Sequence, residues 1–445
     1  MDYKILAKSL VNRCLKKGAT AAEAYLEEGR ELEIEVREGE VEAVKEARAK
    51  GVGLRVIIDG RMAFVDSSDF SEEALGLLVD KAVALARKSS VDKYNILPRE
   101  SGSIPKVNIY DSSLKGISLE SKIALLKKLE KIATSIDPLV KRSSGASYGE
   151  AEGTIYIENS EGISVSYRES GVSIGVSVIA EKKGRMQPGY SYSSARFFAD
   201  LKKPEELAKK AVDFARSLFG GEPVKSQEVP VVFSPRAGRG LLAGLLRALS
   251  GDRVLQKASF LVGMLGKKIA SPLITIIDDG TLDKALGSRP VDGEGVATRK
   301  KVVVDKGVLK TYLYNTQAAA KAGTKSTGNA TRRGYSSLPG IGPTNFYLVN
   351  GNTDPEEIIK GVRNGLYLMA TQGGGVNPIT GAFSAGAMGV WIEEGRKTKP
   401  VANITLAGNI FEMLKGIDVV GNDLELEGSV SAPTFRVRKM VIGGL

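Results

Sequence analysis

The sequence predicts an α+β protein: N-terminal antiparallel β-meander and helix units, apparently duplicated, followed by a β-rich, barrel-like C-terminal domain. Apolar residues at every second position, closed by turn residues, mark the antiparallel strands. Amphipathic helices bracket those strands, and the same helix–meander–helix order occurs twice. From residue 229 onward the chain is rich in glycine and short β-like runs, with few helices.

In chain order, residues 5–16 set Ile5, Leu6, Leu10, Val11 and Leu15 at helical spacing. Residues 32–36, 52–58 and 62–65 alternate as strands, with Asp59 and Gly60 forming a hairpin turn before a helix at 72–87. The order then recurs. A helix at 119–136 carries Leu119, Ile123, Leu126, Leu129, Ala133 and Ile136 and stops before Pro138. Strands follow at 154–157, 163–165 and 172–179, and Pro204 opens a helix reaching Leu218. Local details repeat: residues 53–57 resemble 175–179, Gly60-Arg61-Met62 matches Gly184-Arg185-Met186, and 82–87 matches 211–216. The units span residues 1–90 and 107–222, and the Pro- and Ser-rich stretch 89–106 joins them. The C-terminal domain, 229–445, has β-like runs at 229–233, 273–277, 301–304, 309–314, 346–349 and 390–393, and a helix after Asp354-Pro355.

Composition narrows the chemistry. The 445 residues contain no histidine and one cysteine, Cys14. Ser-His-Asp and Cys-His activation are therefore excluded, as is a His/Cys zinc shell. Cys14 is expected as a small buried apolar residue on the first helix. The N-terminal segment is interrupted by charges, which fits neither a signal peptide nor a membrane span, so a cytoplasmic location is expected. The net charge of +11 raises nucleic acid as a partner. The basic residues are scattered among acids, however, and no DNA- or RNA-binding motif is present, so nucleic acid is not the expected partner.

Several short motifs carry little. Residues 229–233 with Gly238, Gly240 and Ala243 outline a strand, G-x-G-x-x-A and helix, but no acid lies between 253 and 275 to hold a ribose. Ser112 to Lys115 fits S-x-x-K without its partner motifs. Asp278-Asp279-Gly280-Thr281 and Val291 to Gly295 read as hairpin turns rather than halves of an aspartic dyad, and no EF-hand spacing occurs. The glycine clusters are more informative. Gly373, Gly374 and Gly375 with Asn377, and Thr327, Gly328 and Asn329, are either tight turns and bulges or an edge where an extended peptide or partner strand adds.

Those same stretches carry a resemblance. Residues 278–281, 326–329, 343–345, 373–377, 380–384 and 420–423, in that order and spacing, resemble the TldD/PmbA family, and the likeness extends over the full length. The TldD branch of that family implies a metallopeptidase with H-E-x-x-x-H on a helix and a cysteine as a further zinc ligand. The His positions of the motif fall here on Leu242 and Arg247, its Glu on Ala243, and no cysteine follows residue 423. This matches the PmbA (TldE) branch. The resemblance implies a metal-free, cofactor-free subunit, inactive alone, that shapes the peptide groove of a TldD-like catalytic partner carrying H-E-x-x-x-H. Thr327 to Asn329 and Gly373 to Asn377 are the candidate groove or interface residues, and homodimerisation is also open. The competing readings are an autonomous peptidase with a non-canonical site and a DNA gyrase modulator or nucleic-acid binder.

Overall fold

The computed structural model describes residues 2–444. The first unit is α1 (Tyr3–Lys16), β1 (Ala21–Arg37), β2 (Glu40–Ile58), β3 (Arg61–Ser67) and α2 (Glu72–Lys88). The second is α3 (Leu119–Ser135), β4 (Val140–Asn159), β5 (Ser164–Lys182), β6 (Arg185–Ala195) and α4 (Pro204–Leu218). Ser71 and Ser118 cap α2 and α3 through their hydroxyls, and Pro204 occupies the first turn of α4. The duplication is visible in the turns as well. Asp59 and Gly60 have φ of 49° and 78°, and Lys183 and Gly184 repeat this at 50° and 74°. Two consecutive left-handed residues are what a two-residue hairpin joining right-twisted strands requires.

The two meanders form one sheet, in the order β3-β2-β1-β4-β5-β6, with β1 antiparallel to β4 from Glu23↔Asn159 to Val36↔Ala146. Even-numbered residues of β1 point to one face. Ala22, Ala24 and Leu26 pack with α1 and α2, while Leu32, Ile34 and Val36 pack in the core that includes α3 and α4. Both helix pairs therefore cover the same face of the sheet. Tyr25 and Glu23 point to the other face, toward the C-terminal region.

The strands exceed the expected segments. Residues 40–50 are almost wholly exposed, with an Ala/Glu/Lys/Arg composition that suits a helix, yet they extend β2. Pairing decides the outcome: Glu33 faces Lys45, Glu28 faces Lys50, and Arg30 Nε lies 2.9 Å from Glu46.

The C-terminal region begins with β7 (Gln227–Phe233), α5 (Pro235–Ala248) and α6 (Gly251–Leu255). Short elements follow: β8 (Ile276–Asp279), β9 (Lys300–Asp305), β10 (Val308–Leu309), α7 (Thr316–Lys321), β11 (Ala330–Thr331), β12 (Gly340–Ile341) and β13 (Phe346–Leu348). After α8 (Pro355–Lys360) come the longer strands β14 (Asn364–Val376), β15 (Ala382–Glu393) and β16 (Arg396–Asn409). The chain ends with α9 (Ile410–Lys415), β17 (Ile417–Val420), β18 (Val430–Ser431) and β19 (Phe435–Gly443). Strands β16-β15-β14-β7-β19 pair in sequence, and β19 returns to β16 through Thr405↔Gly443 to Ala407↔Val441, closing a five-stranded barrel. The barrel-like expectation is met. The short strands β10-β9-β8-β13-β18 form a second sheet beside it. Cys14 is fully buried, and burial pushes its thiol up to about 11. Among the described residues no helix is long and apolar enough to cross a membrane.

Candidate functional site

Helix α5 owes its start to Ser234, whose hydroxyl accepts the Ala237 N–H at 3.3 Å, and to Pro235. Leu241, Leu242, Leu245 and Ala248 anchor it in the barrel core. A second face runs along β14: Gly240 lies near Thr371, Gly244 against Val376, and Arg247 beside Gly375. A Cβ on Gly244 would sit 2.6 Å from Val376, so glycine permits this closeness of helix and strand. Gly238 and Gly240 are inside the helix and form no phosphate-binding loop. Ser112 to Lys115 is a single 3-10 turn capped by Asp111.

The three positions singled out on α5 have different surroundings. Leu242 is buried, Ala243 is half-buried, and Arg247 is exposed. Arg247 Nη2 lies 3.9 Å from where a Cβ on Gly375 would be. The structure thus brings Arg247 to the Gly373–Gly375 stretch, which forms a bulge opposite β15 between Gln372 and Gly375. Gly373 and Gly374 are exposed, with φ of 55° and 68°. Asn377 ends the stretch, its side-chain oxygen accepting the Ile379 N–H at 2.9 Å.

Thr327, Gly328 and Asn329 lie elsewhere. Thr327 Oγ1 accepts the Tyr314 N–H at 2.7 Å. Asn329 is fully buried, and its amide donates to Asp278 at 2.8 Å and to the Gly342 carbonyl at 2.9 Å. Asp278 also accepts from the Thr344 N–H and lies 3.1 Å from Lys301, whose ammonium burial pushes down against that attraction. This loop braces the short-stranded sheet from within.

The acidic turns conceal a feature that sequence reading missed. Residues 291 and 297 do bridge a tight turn, as a hairpin would, but Asp292 and Glu294 within it are fully buried. Arg55 of β2 donates to Glu294 at 3.0 Å and to Glu23 of β1 at 2.7 Å. Arg332 also pairs with Glu23. The four side chains form a buried ionic clamp between the N-terminal sheet and the C-terminal region. Burial has the largest effect on the Asp292 carboxyl, and the Glu294 charge is next. Both raise it, three backbone N–H bonds pull the other way, and it rests at about 7. No local pattern announces the clamp, because Glu23 and Arg332 are 309 residues apart.

Comparison with known proteins decides the family. Residues 226–444 match the PmbA/TldA metallopeptidase C-terminal domain, 112–219 the central domain and 22–86 domain 1. The chain belongs to the PmbA/TldD metallopeptidase family. Metalloprotease PmbA of Escherichia coli O157:H7 is 30% identical over 416 residues, covering 93% of this chain and 90% of that protein. A metalloprotease of Methanothermobacter thermautotrophicus is 30% identical, covering 92% of each chain. The crystal structure of TldE from Thermococcus kodakarensis superposes with a TM-score of 0.88 at 26% identity, covering 98% of this chain and 99% of that one. A Bacteroides thetaiotaomicron protein provisionally described as a modulator of DNA gyrase superposes at 0.92 with 27% identity over both full lengths.

At the α5 positions that resemble the family's metal motif, the residues present do not fit a metal. Leu242 and Ala243 carry no donor atom, and the Arg247 guanidinium is a fixed cation that would repel a metal ion. Among the described residues there is also no group of three or more His, Cys, Asp or Glu side chains arranged to hold one.

Proposed function

We propose that this chain is a PmbA/TldE-type subunit without a metal centre of its own, which completes the peptide groove of a TldD-like metallopeptidase. The observation that carries this reading is the side chemistry of α5, where Leu242, Ala243 and Arg247 stand at the positions that resemble H-E-x-x-x-H. The barrel and the glycine-rich bulge beside that helix are present without those ligands. Gly373 and Gly374 are exposed and carry no side chain to block an extended peptide, and Arg247 sets a cation beside Gly375. The buried Thr327–Asn329 loop braces the short-stranded sheet and does not line this site.

Mixing the purified chain with a TldD-like protein carrying H-E-x-x-x-H is expected to give a stable complex in gel filtration, with peptide hydrolysis altered relative to that protein alone. Arg247→Ala should change hydrolysis by the complex while leaving stability within about 0.5 kcal/mol, as for other exposed positions. Absence of association at micromolar concentration overturns the proposal. So does chelator-sensitive peptidase activity of the isolated chain with stoichiometric metal, which would make it an autonomous enzyme.

A further inference from the structure

A concavity lies at the N-terminal ends of α5 and β14, apart from the Gly373–Gly375 stretch. It is a cleft of about 470 Å³ between the second N-terminal unit and the barrel, within the size range of pockets that take small ligands. Arg236 and Arg239, one turn apart near the start of α5, project into it and face aromatic residues of β6 and α4. The Arg236 guanidinium stacks 3.8 Å from the Tyr190 ring centroid and 4.8 Å from that of Phe214. Arg239 lies 6.0 Å from the Tyr192 ring centroid.

The charges in this cleft are unevenly matched. Its four carboxylates make their direct contacts with groups other than the two arginines, and Glu427 attracts Arg236 at longer range. Asp213 pairs with Lys209 at 3.2 Å and Arg216 at 3.3 Å, and Asp423 accepts the Thr434 N–H and hydroxyl at 2.8 and 2.7 Å. Glu425 and Glu427 both pair with Lys202. Lys210 and Lys397 are matched too, by Glu206 at 3.0 Å and Glu356 at 3.4 Å. Neither Arg236 nor Arg239 has an ion pair or a side-chain hydrogen bond among the described residues, although both are half-buried. A guanidinium held flat on an aromatic ring keeps its in-plane N–H groups pointed outward and preorganised for an oxyanion.

We infer that this cleft binds the free α-carboxylate at the C-terminal end of a peptide, with an apolar or aromatic last side chain resting among Tyr190, Tyr192, Tyr367 and Met369. The surrounding carboxylates select the ligand class. They would repel a multiply charged phosphate chain but tolerate a body that is neutral or basic with one negative end. Strand β6 is the outer strand of its sheet and borders the cleft through residues 190–192, so it offers main-chain groups to the residues preceding that end. The inference takes its ligand class, a peptide, from the proposed role. The arginine site lies apart from the glycine edge and is tested separately.

The test uses the isolated full-length chain and fluorescence anisotropy. The probe is a fluorescein-labelled tetrapeptide of two alanines, a glycine and a C-terminal phenylalanine, as the free acid and as the C-terminal amide. The acid is expected to bind, and the amide to bind at least about tenfold more weakly, because a charge-assisted contact is lost. Arg239→Gln should weaken the acid by a similar factor with an unchanged melting temperature. Arg239 rests less closely on its ring than Arg236, so this variant stands even if Arg236→Gln fails to fold. Equal affinity for acid and amide overturns the inference, as does no binding of the acid at millimolar concentration. Displacement by inorganic phosphate as effective as by unlabelled acid peptide also overturns it, since that defines a general anion site. Complex formation without acid-selective binding removes this inference alone. Acid-selective binding without complex formation removes the proposed subunit role instead.

Discussion

Replacing Arg55 by methionine should unfasten the N-terminal sheet from the C-terminal region. Arg55 is 4% exposed and holds Glu23 and Glu294 at 2.7 and 3.0 Å. Methionine has similar reach but no charge. Glu23 would keep Arg332, while Glu294 would remain fully buried with only the Thr316 N–H, at 2.8 Å, as a donor. Removing one partner of a buried pair typically costs about 3–5 kcal/mol, because the other charge is left desolvated and uncompensated. That is a large share of a total stability of about 5–15 kcal/mol. Trp391 is the sole tryptophan and lies buried on β15, so its fluorescence reports on the barrel, whereas far-UV circular dichroism reports on the whole chain. In guanidinium chloride the two probes should coincide for the wild type and separate for Arg55→Met. Adding Glu294→Gln should recover part of the loss, since glutamine still accepts from Thr316 and carries no charge. A cost below about 1 kcal/mol, or a double variant no better than the single one, refutes the reasoning that the clamp couples the two parts.

Three further outcomes follow from local chemistry. The Asp292 carboxyl is raised in the folded state, so its stabilising contribution is complete below the ordinary carboxylate range and is lost as pH climbs toward about 7. Urea midpoints at several pH values should therefore show wild type losing its advantage over Asp292→Asn as pH rises from about 4 to 7, and a widening gap would contradict the assignment. In the glycine stretch, Gly373 has φ of 55° and nothing within 4 Å of a Cβ, so Gly373→Ala should cost about 1–2 kcal/mol. A Cβ on Gly374 would lie 2.1 Å from the Ser384 carbonyl oxygen, so thermal melts should show Gly374→Ala losing more than about 3 kcal/mol, and equal costs would deny the bulge its structural role. Cys14, with its buried thiol pushed up to about 11, should resist a disulfide reagent at pH 8 until the chain unfolds, and prompt native labelling would show the helix packing to be wrong.

Most helices and the duplicated order were legible because their signals are local. Ser71, Ser118, Ser234 and Pro204 sit where caps and first turns require them, and the apolar spacing between them spans whole helices. The strands were underestimated for the opposite reason. Residues 40–50 and the Ser- and Tyr-rich β6 become strands through what lies beside them, β1 and β5, rather than through their own alternation. The site divides in the same way. On the proposed reading, the lack of donors at Leu242 and Ala243 can be read from residue identities once the helix is aligned, whereas the placement of Arg247 beside Gly375 needs the barrel. The acids at Asp292 and Glu294 look solvent-exposed because a D-G turn ordinarily is, and only the third dimension brings Arg55 to them.

The distribution of polar chemistry also bears on the proposed role. The buried ionic groups Glu23, Arg55, Glu294, Arg332, Asp278 and Lys301 are internally matched and hold substructures together. Arg236 and Arg239, which make no direct ion pair among the described residues, flank a cleft instead, and Arg247 lies exposed beside Gly375. A structure built only for stability gains little from guanidinium groups left unmatched at concave surfaces, since each keeps its side-chain entropy cost and gains no charge partner. All three arginines lie on α5, the helix whose positions resembling H-E-x-x-x-H carry no donor. On the proposed reading, the helix that holds the metal in a TldD-like chain serves here to present fixed positive charge, which can orient peptide carboxylates but cannot activate water. The separation of binding from hydrolysis between two related chains then follows from side-chain substitutions on a single helix, with the fold kept intact.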